Sequence, residues 1–311
     1  MMKSHHNKCN SQRGGALIIF VLVLVLAGSA TLFSLIDGSD VKIERDKITA
    51  LALSEAKAAL IGRAVSDVNH PGSLPCPDGN NDGIADPFGV GNLCPSNIGR
   101  LPWKSLGIST LIDGAGESLW YAISQNYRDH ISAEPINSTA LGGLVVDGVA
   151  DQIAIVFAPG QPLNAQVARP SNSVGDYLEA ENADGDMDFN KQQSLVQNDQ
   201  LITIGRAELA SIVSQRILRE IRGDDTQGMQ QYFNNEGAYP YADGNADGNA
   251  DVGVYAGTPS YQAGLYSLSF NAVTKSMLLD NGWFSLLDYS VSATQDSAVL
   301  SINGKNLSVG P

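Results

Sequence analysis

The sequence predicts an α+β protein. A long N-terminal helix, membrane-spanning over its first half, carries a head of two tandem helix–loop–antiparallel-strand units. Three observations predict this. Ala16 to Ile36, ALIIFVLVLVLAGSATLFSLI, is apolar and holds no charged residue. About 20 such residues wound as a helix cover the roughly 30 Å hydrocarbon core, where only a helix or a closed barrel satisfies its own backbone. Val41 to Val65 then continues with apolar residues at helical spacing. Finally, the chain repeats itself: DGNNDGIAD at Asp78–Asp86 returns as DGNADGNAD at Asp243–Asp251, agreeing at seven of nine positions.

The segment before the apolar run sets its direction. Met1 to Gly15 carries Lys3, Lys8 and Arg13, no acid, and ends SQRGG. A secretory signal places small residues after its apolar run as a cleavage site; here the Gly pair stands before a run that continues into an amphipathic helix. The string Gln12-Arg13-Gly14-Gly15-Ala16-Leu17 resembles the start of type IV pilins and type II secretion pseudopilins. It is most similar to the QRG-x-A-L of the tip-type (K- or X-type) minor members. The segments Leu74–Asp78 (LPCPD), Gly99–Trp103 (GRLPW) and Leu119–Ala122 (LWYA) extend the resemblance to prepilin-like minor subunits. It implies a leader, residues 1–14, cut after Gly14 by prepilin peptidase, with Gly15 as the N-methylated first residue. A cut after Gly15 is the close alternative, and a plain signal anchor is the reading outside the family. The resemblance also implies a single-pass inner-membrane protein with a cytoplasmic N-terminus and a head in the periplasm or on a pilus. Its partners would be other minor pilins or pseudopilins and the inner-membrane assembly platform. Major pilins resemble one another in a Glu at the fifth mature position, where this chain has Ile19, or Phe20 for the alternative cut. A carboxylate in lipid is costly and needs a partner, in the family the N-terminal amine of a neighbouring subunit. A subunit without it is best tolerated at the filament tip, where one neighbour is missing.

The 311 residues carry a formal charge of −14. The leader holds three of nineteen basic residues and no acids, so the rest carries 16 Lys+Arg against 33 Asp+Glu. An acidic body lacks the positive footprint that nucleic acid and anionic surfaces require, so no nucleic-acid partner is expected. It fits a domain that binds hard cations. With Cys9 in the leader, the processed chain keeps an even pair, Cys76 and Cys94, as an oxidising compartment favours. A disulfide between them would contribute about 3 kcal/mol by loop closure; two free buried thiols are the alternative.

The expected organisation is a leader over 1–14, a transmembrane half-helix over 15–36, an amphipathic helix with the first head unit over 37–200, and a second unit over 201–311. Asp37-Gly38-Ser39-Asp40 supplies a joint and an N-cap. Helix from Gly15 to Val65 would be about 75 Å long, with Val41, Ile48, Leu51, Ala52, Ala59 and Leu60 on its apolar face. Strands are expected at Leu119–Ser124, Gln152–Phe157, Asp288–Ser292 and Ala298–Ile302, with Asn303-Gly304 as a hairpin turn. A second helix is expected over Arg206–Ile221, with Leu209, Ile212, Val213, Ile217 and Ile221 on one face. Each acidic repeat follows a helix and a Gly/Pro-rich segment and precedes a Tyr-x-x-Ser strand, at Tyr121 and at Tyr289. That order is the basis for two units in tandem.

The repeated segments read as calcium loops. Asp78, Asn80, Asp82 and Asp86 hold positions 1, 3, 5 and 9 of D-x-N-x-D-G-x-x-D, and Asp243, Asn245, Asp247 and Asp251 do the same. Ca²⁺ takes six to eight oxygens, and alternate residues of a tight turn point theirs inward. Gly83 and Gly248 stand at the sharp bend, and the carbonyls of Ile84 and Asn249 would serve as the seventh-position ligands. The pattern resembles EF-hand and dockerin-like loops over nine residues only. Position twelve, normally acidic, is Gly89 in one and Val254 in the other. Plain Asx/Gly turns are the alternative. Asp184, Asp186 and Asp188 form a third, less complete cluster without the Gly.

A non-enzymatic minor pilin or pseudopilin at or near the tip is the leading function. A pilus-associated adhesin or substrate-receptor head on the same anchor is the alternative. Outside the leader only His70 and His130 remain, in no nucleophile–base or zinc spacing, so no enzyme activity is expected.

Overall fold

The computed structural model describes residues 13–130, 135–164, 166–262, 264 and 266–310, with backbone alone for 13–20, 22 and 26–39. Residues 1–12, most of the expected leader, lie outside the described residues; Arg13, Gly14 and Gly15 open the first helix, α1 (Arg13–Ser66). The chain forms two compact units, Met1–Ile48 and Thr49–Pro311.

The first unit is the N-terminal part of α1. No helix among the described residues is long and apolar enough to cross a membrane. This corrects the membrane-spanning half-helix over 15–36 and, with it, the single-pass inner-membrane placement. From Asp40 the helix carries exposed Lys42, Glu44, Arg45, Asp46 and Lys47.

The second unit begins with the rest of α1. Its buried stripe is Thr49, Ala52, Leu53, Ala56, Leu60 and Ala64. The expected face was misplaced: Ile48 and Leu51 are exposed, and Leu53 and Ala56 take their place. Leu, Ile and Ala recur so densely here that several stripes fit the 3.6 period, and only the partner surface selects one.

Among the described residues ten strands follow: β1 (Ile98–Arg100), β2 (Trp120–Ile123), β3 (Leu144–Val146), β4 (Val149–Ala158), β5 (Asp188–Phe189), β6 (Gln200–Gly205), β7 (Ala256–Gly257), β8 (Asp288–Val291), β9 (Ala298–Ile302) and β10 (Lys305–Val309). Helices α2 (Arg206–Arg222), α3 (Gly228–Glu236) and α4 (Ala272–Asp280) lie between the sixth and eighth strands. A curled six-stranded sheet runs β1-β2-β4-β3-β5 with β6 also on β4, and a four-stranded sheet runs β10-β9-β8-β7. The architecture is therefore mixed α/β, which corrects the expected α+β plan. Helices alternate with strands in the C-terminal third, and β3 pairs with β5 in parallel. A parallel pair needs a long crossover, here residues 147–187, which turn at Asp147-Gly148 (φ 51° and 73°) into β4 before reaching β5.

The two sheets share one all-antiparallel path. β1-β2-β4-β6 in the first matches β7-β8-β9-β10 in the second. A single core joins α1 residues Ala56 and Leu60 with Tyr121, Ile153 and Val156, with Leu209, Val213, Ile217 and Ile221 of α2, and with Tyr289 and Leu300. On the other face of the larger sheet, Trp120, Ile155, Phe157, Tyr177 and Phe189 form a second cluster. Asn303 and Gly304 turn β9 into β10 with φ of 51° and 71°, the left-handed pair a two-residue hairpin requires.

Candidate functional site

The two acidic repeats fold into loops that share most of their bonds. Asp78 is fully buried. Its Oδ1 accepts the N–H groups of Asn80 (3.0 Å) and Asn81 (2.7 Å), and its Oδ2 that of Gly83 (2.6 Å). Asp243, 1% exposed, accepts from Asn245 (3.2 Å), Asp247 (3.3 Å) and, through Oδ2, Gly248 (2.5 Å). Asn80 and Asn245 cap the N–H of Asp82 and Asp247; these in turn cap Ile84 and Asn249. The N–H of Asn249, with its side-chain amide, holds the Asp247 carboxyl below the usual range. Asp86 returns its N–H to the Pro77 carbonyl, and Asp251 to that of Ala242. The Asp251 carboxylate accepts from Gly244 at 2.9 Å. The match extends outward: Tyr121 donates its hydroxyl to the Pro75 carbonyl at 3.2 Å, and Tyr289 to that of Pro240 at 2.8 Å.

Both loop glycines are required. Gly83 (φ 84°) lies under the Trp103 indole, where a Cβ would come within 2.5 Å; Gly248 (φ 89°) lies equally close to Gln262. Gly83's carbonyl takes the N–H of Lys104, and Gly248's those of Tyr261 and Gln262. The Lys104 ammonium also reaches the Asp82 carbonyl.

The first loop lies inside the ring closed by the Cys76–Cys94 disulfide, with Cα atoms 5.4 Å apart and a separation of 18 residues. Both cysteines are buried. The second loop has no such closure, because no cysteine follows Cys94.

The donors in both loops are all oxygen, the chemistry a hard divalent cation takes. Yet Asp78 and Asp243 spend most of their acceptor capacity on backbone N–H groups. Among the described residues, the acidic and His groups whose ligand atoms lie within 4.8 Å of one another are elsewhere: Asp67–His70–Asp129 and Glu181–Asp184–Asp186. The loops thus do not bring their three carboxylates together as closely as the sequence suggested. In the third cluster Glu181 joins Asp184 and Asp186, while Asp188 enters β5, its N–H on Asp186. Glu181 was missed because a 3-10 turn over Ala180–Ala183, not spacing, places it there.

The Asp67–His70–Asp129 group was also absent from the sequence reading. Arg63 donates to both Asp67 and Asp129 at 2.7 Å, so a cation there would meet a guanidinium. Burial opposes the charged form of Asp67, but the N–H groups of His70 and Asn69 and the Arg63 guanidinium hold its carboxyl below the ordinary range. Burial and the neighbouring Asp67 push Asp129 up. The group reads as an ion-pair network tying the end of α1 to the segment after β2. No protein-family model, curated protein or solved structure matches this chain.

Proposed function

We propose that this chain is a non-enzymatic minor pilin or pseudopilin subunit at or near the tip of a type IV pilus or type II secretion pseudopilus, with head loops stabilised by Ca²⁺. The observation that carries it is the order Gln12-Arg13-Gly14-Gly15-Ala16-Leu17, small residues before an apolar run, in a chain whose helix continues unbroken from Arg13 to Ser66. Other minor pilins or pseudopilins and the assembly platform are the partners, and prepilin peptidase the processing enzyme. The repeated loops support the calcium part, since all their donors are oxygens and the bend glycine recurs. Asn80, Asp82 and Ile84, with Asn245, Asp247 and Asn249, would contribute most, because Asp78 and Asp243 already hold the loop backbone.

The experiment is mass spectrometry of the mature protein from native cells. A methylated Gly15 start is expected, and Gly14→Val should block processing, because the peptidase needs a small residue before the cut. An uncut Met1 start would remove the pilin reading. For the tip position, immunogold label should cluster at filament ends; even labelling along the shaft would reject the tip while leaving the minor-subunit role.

A further inference from the structure

We propose that the pocket floored by Arg100 binds a carboxylate. Arg100 ends β1 and is 4% exposed. Its guanidinium lies over two adjoining aromatic rings, 4.5 Å from the centre of Trp120 and 4.0 Å from that of Tyr177, the ring centres themselves being 5.2 Å apart. Among the described residues it makes no ion pair. Its partners are two backbone carbonyls, Ser171 at 3.0 Å and Ser118 at 3.5 Å, and its buried Nε has none. A guanidinium offers five N–H donors, so most of its capacity is unused. Burying a cation without a counter-charge is costly, and ring faces return only part of that cost.

The internal repeat shows that the loop does not require this cation. Asp78 bridges to Arg100, whereas Asp243 bridges, through the same pair of backbone bonds, to Thr258. The second loop is built on a neutral residue, so the arginine serves something other than loop closure. It lines an open pocket of about 370 Å³ whose walls include Asn81, Ser118, Ser171 and Asn172.

The ligand class follows from the charges. A planar guanidinium fork held by stacking matches a planar carboxylate. Glu117 also lines the pocket, its charge offset by Arg169 at 3.4 Å. A wall carboxylate disfavours a dianion such as phosphate more than a monoanion. The proposal stands apart from the filament reading and from calcium.

The test titrates the purified full chain with sodium acetate, tetra-alanine, tetra-alanine amide, sodium phosphate and sodium chloride at matched ionic strength. Tryptophan fluorescence reports through Trp120, and melting temperature gives a second readout. A saturable response to acetate or to tetra-alanine is expected, absent with chloride and at least threefold weaker with phosphate. Arg100→Gln should abolish it. Asn172→Asp, a change at an exposed wall residue that leaves the Arg100 stack untouched, should weaken it at least fivefold. Acetate binding as tightly as tetra-alanine assigns a small free acid. Binding of tetra-alanine alone, lost in its amide, assigns the C-terminus of a protein partner. A response no greater than chloride's, phosphate binding as tightly as acetate, an amide as effective as the free acid, or unchanged affinity in Asn172→Asp would each overturn the proposal.

Discussion

Asp78 holds Gly83 across the first acidic loop, its buried Oδ2 taking the Gly83 N–H at 2.6 Å, and its other oxygen takes two further N–H groups. Asp78 is therefore the structural centre of the loop, and Asp82, exposed, is not. Asp78→Ala leaves three N–H groups without their acceptor, at a cost of about 2–4 kcal/mol. Asp82→Ala should cost well under half as much when calcium is chelated. Chemical denaturation of both variants in chelator checks this, and equal losses would contradict the ranking.

Calcium should raise the melting temperature of the wild type over that in chelator. Binding to the folded state alone adds about 2.7 kcal/mol per site at a hundredfold excess over Kd. Incomplete ligand sets would place Kd at about 10⁻⁴–10⁻³ M, the range of extracellular modules. The disulfide-closed first loop loses less entropy on binding, so Asp82→Ala should remove more of the calcium response than Asp247→Ala. Calorimetry at millimolar Ca²⁺ decides; an unchanged transition returns both loops to plain turns.

Gly83→Ala combines left-handed backbone with a 2.5 Å approach to Trp103, whereas Gly253, at φ 85°, has open space around its missing Cβ. Backbone strain is shared by the two substitutions, at about 1–2 kcal/mol. The indole clash is confined to Gly83→Ala, which should lose at least twice as much. Matched urea titrations of the two variants measure the difference.

Reducing the Cys76–Cys94 bridge, or replacing both cysteines by alanine, should cost about 3 kcal/mol for a ring of this size. Melting with and without reductant measures it, and the double variant should be insensitive to reductant.

Asp199 is 2% exposed, and burial pushes its carboxyl up from the usual value. A folded-state pKa above the unfolded one means the native state favours the proton. The cost of ionising it is present above the folded pKa and fades as pH falls toward 3.8, the ordinary aspartate value. Asp199→Asn carries no such cost, so its stability relative to wild type should be higher at pH 7 than at pH 4. A difference that is constant across that range would show Asp199 to be unperturbed.

Local chemistry made much of this protein readable in the sequence. The apolar stripe of α2 was legible because Leu209, Val213, Ile217 and Ile221 sit among Arg, Glu and Gln. β8 and β9 follow from alternation, β2 and β4 from short apolar runs buried on both faces, the Asn303-Gly304 turn from left-handed propensity, and the Cys pair from parity. The repeat DGNxDGxAD was visible as text, and turn chemistry made two similar loops of it. What neighbours supply was not legible. The buried face of α1 depends on which surface covers a helix rich in Ala and Leu all round. β3 and β5 pair in parallel across a long connection, and no local signal joins the two. Asp78 and Asp82 look alike in sequence, and only the fold buries one and leaves the other in water. The packing of Arg100 over Trp120 and Tyr177 joins residues from three separate segments of the chain. Sequence determines what each segment can do by itself, because propensity, capping and turns act over a few residues; burial and charge pairing were decided by tertiary contacts, because both depend on which distant groups displace water.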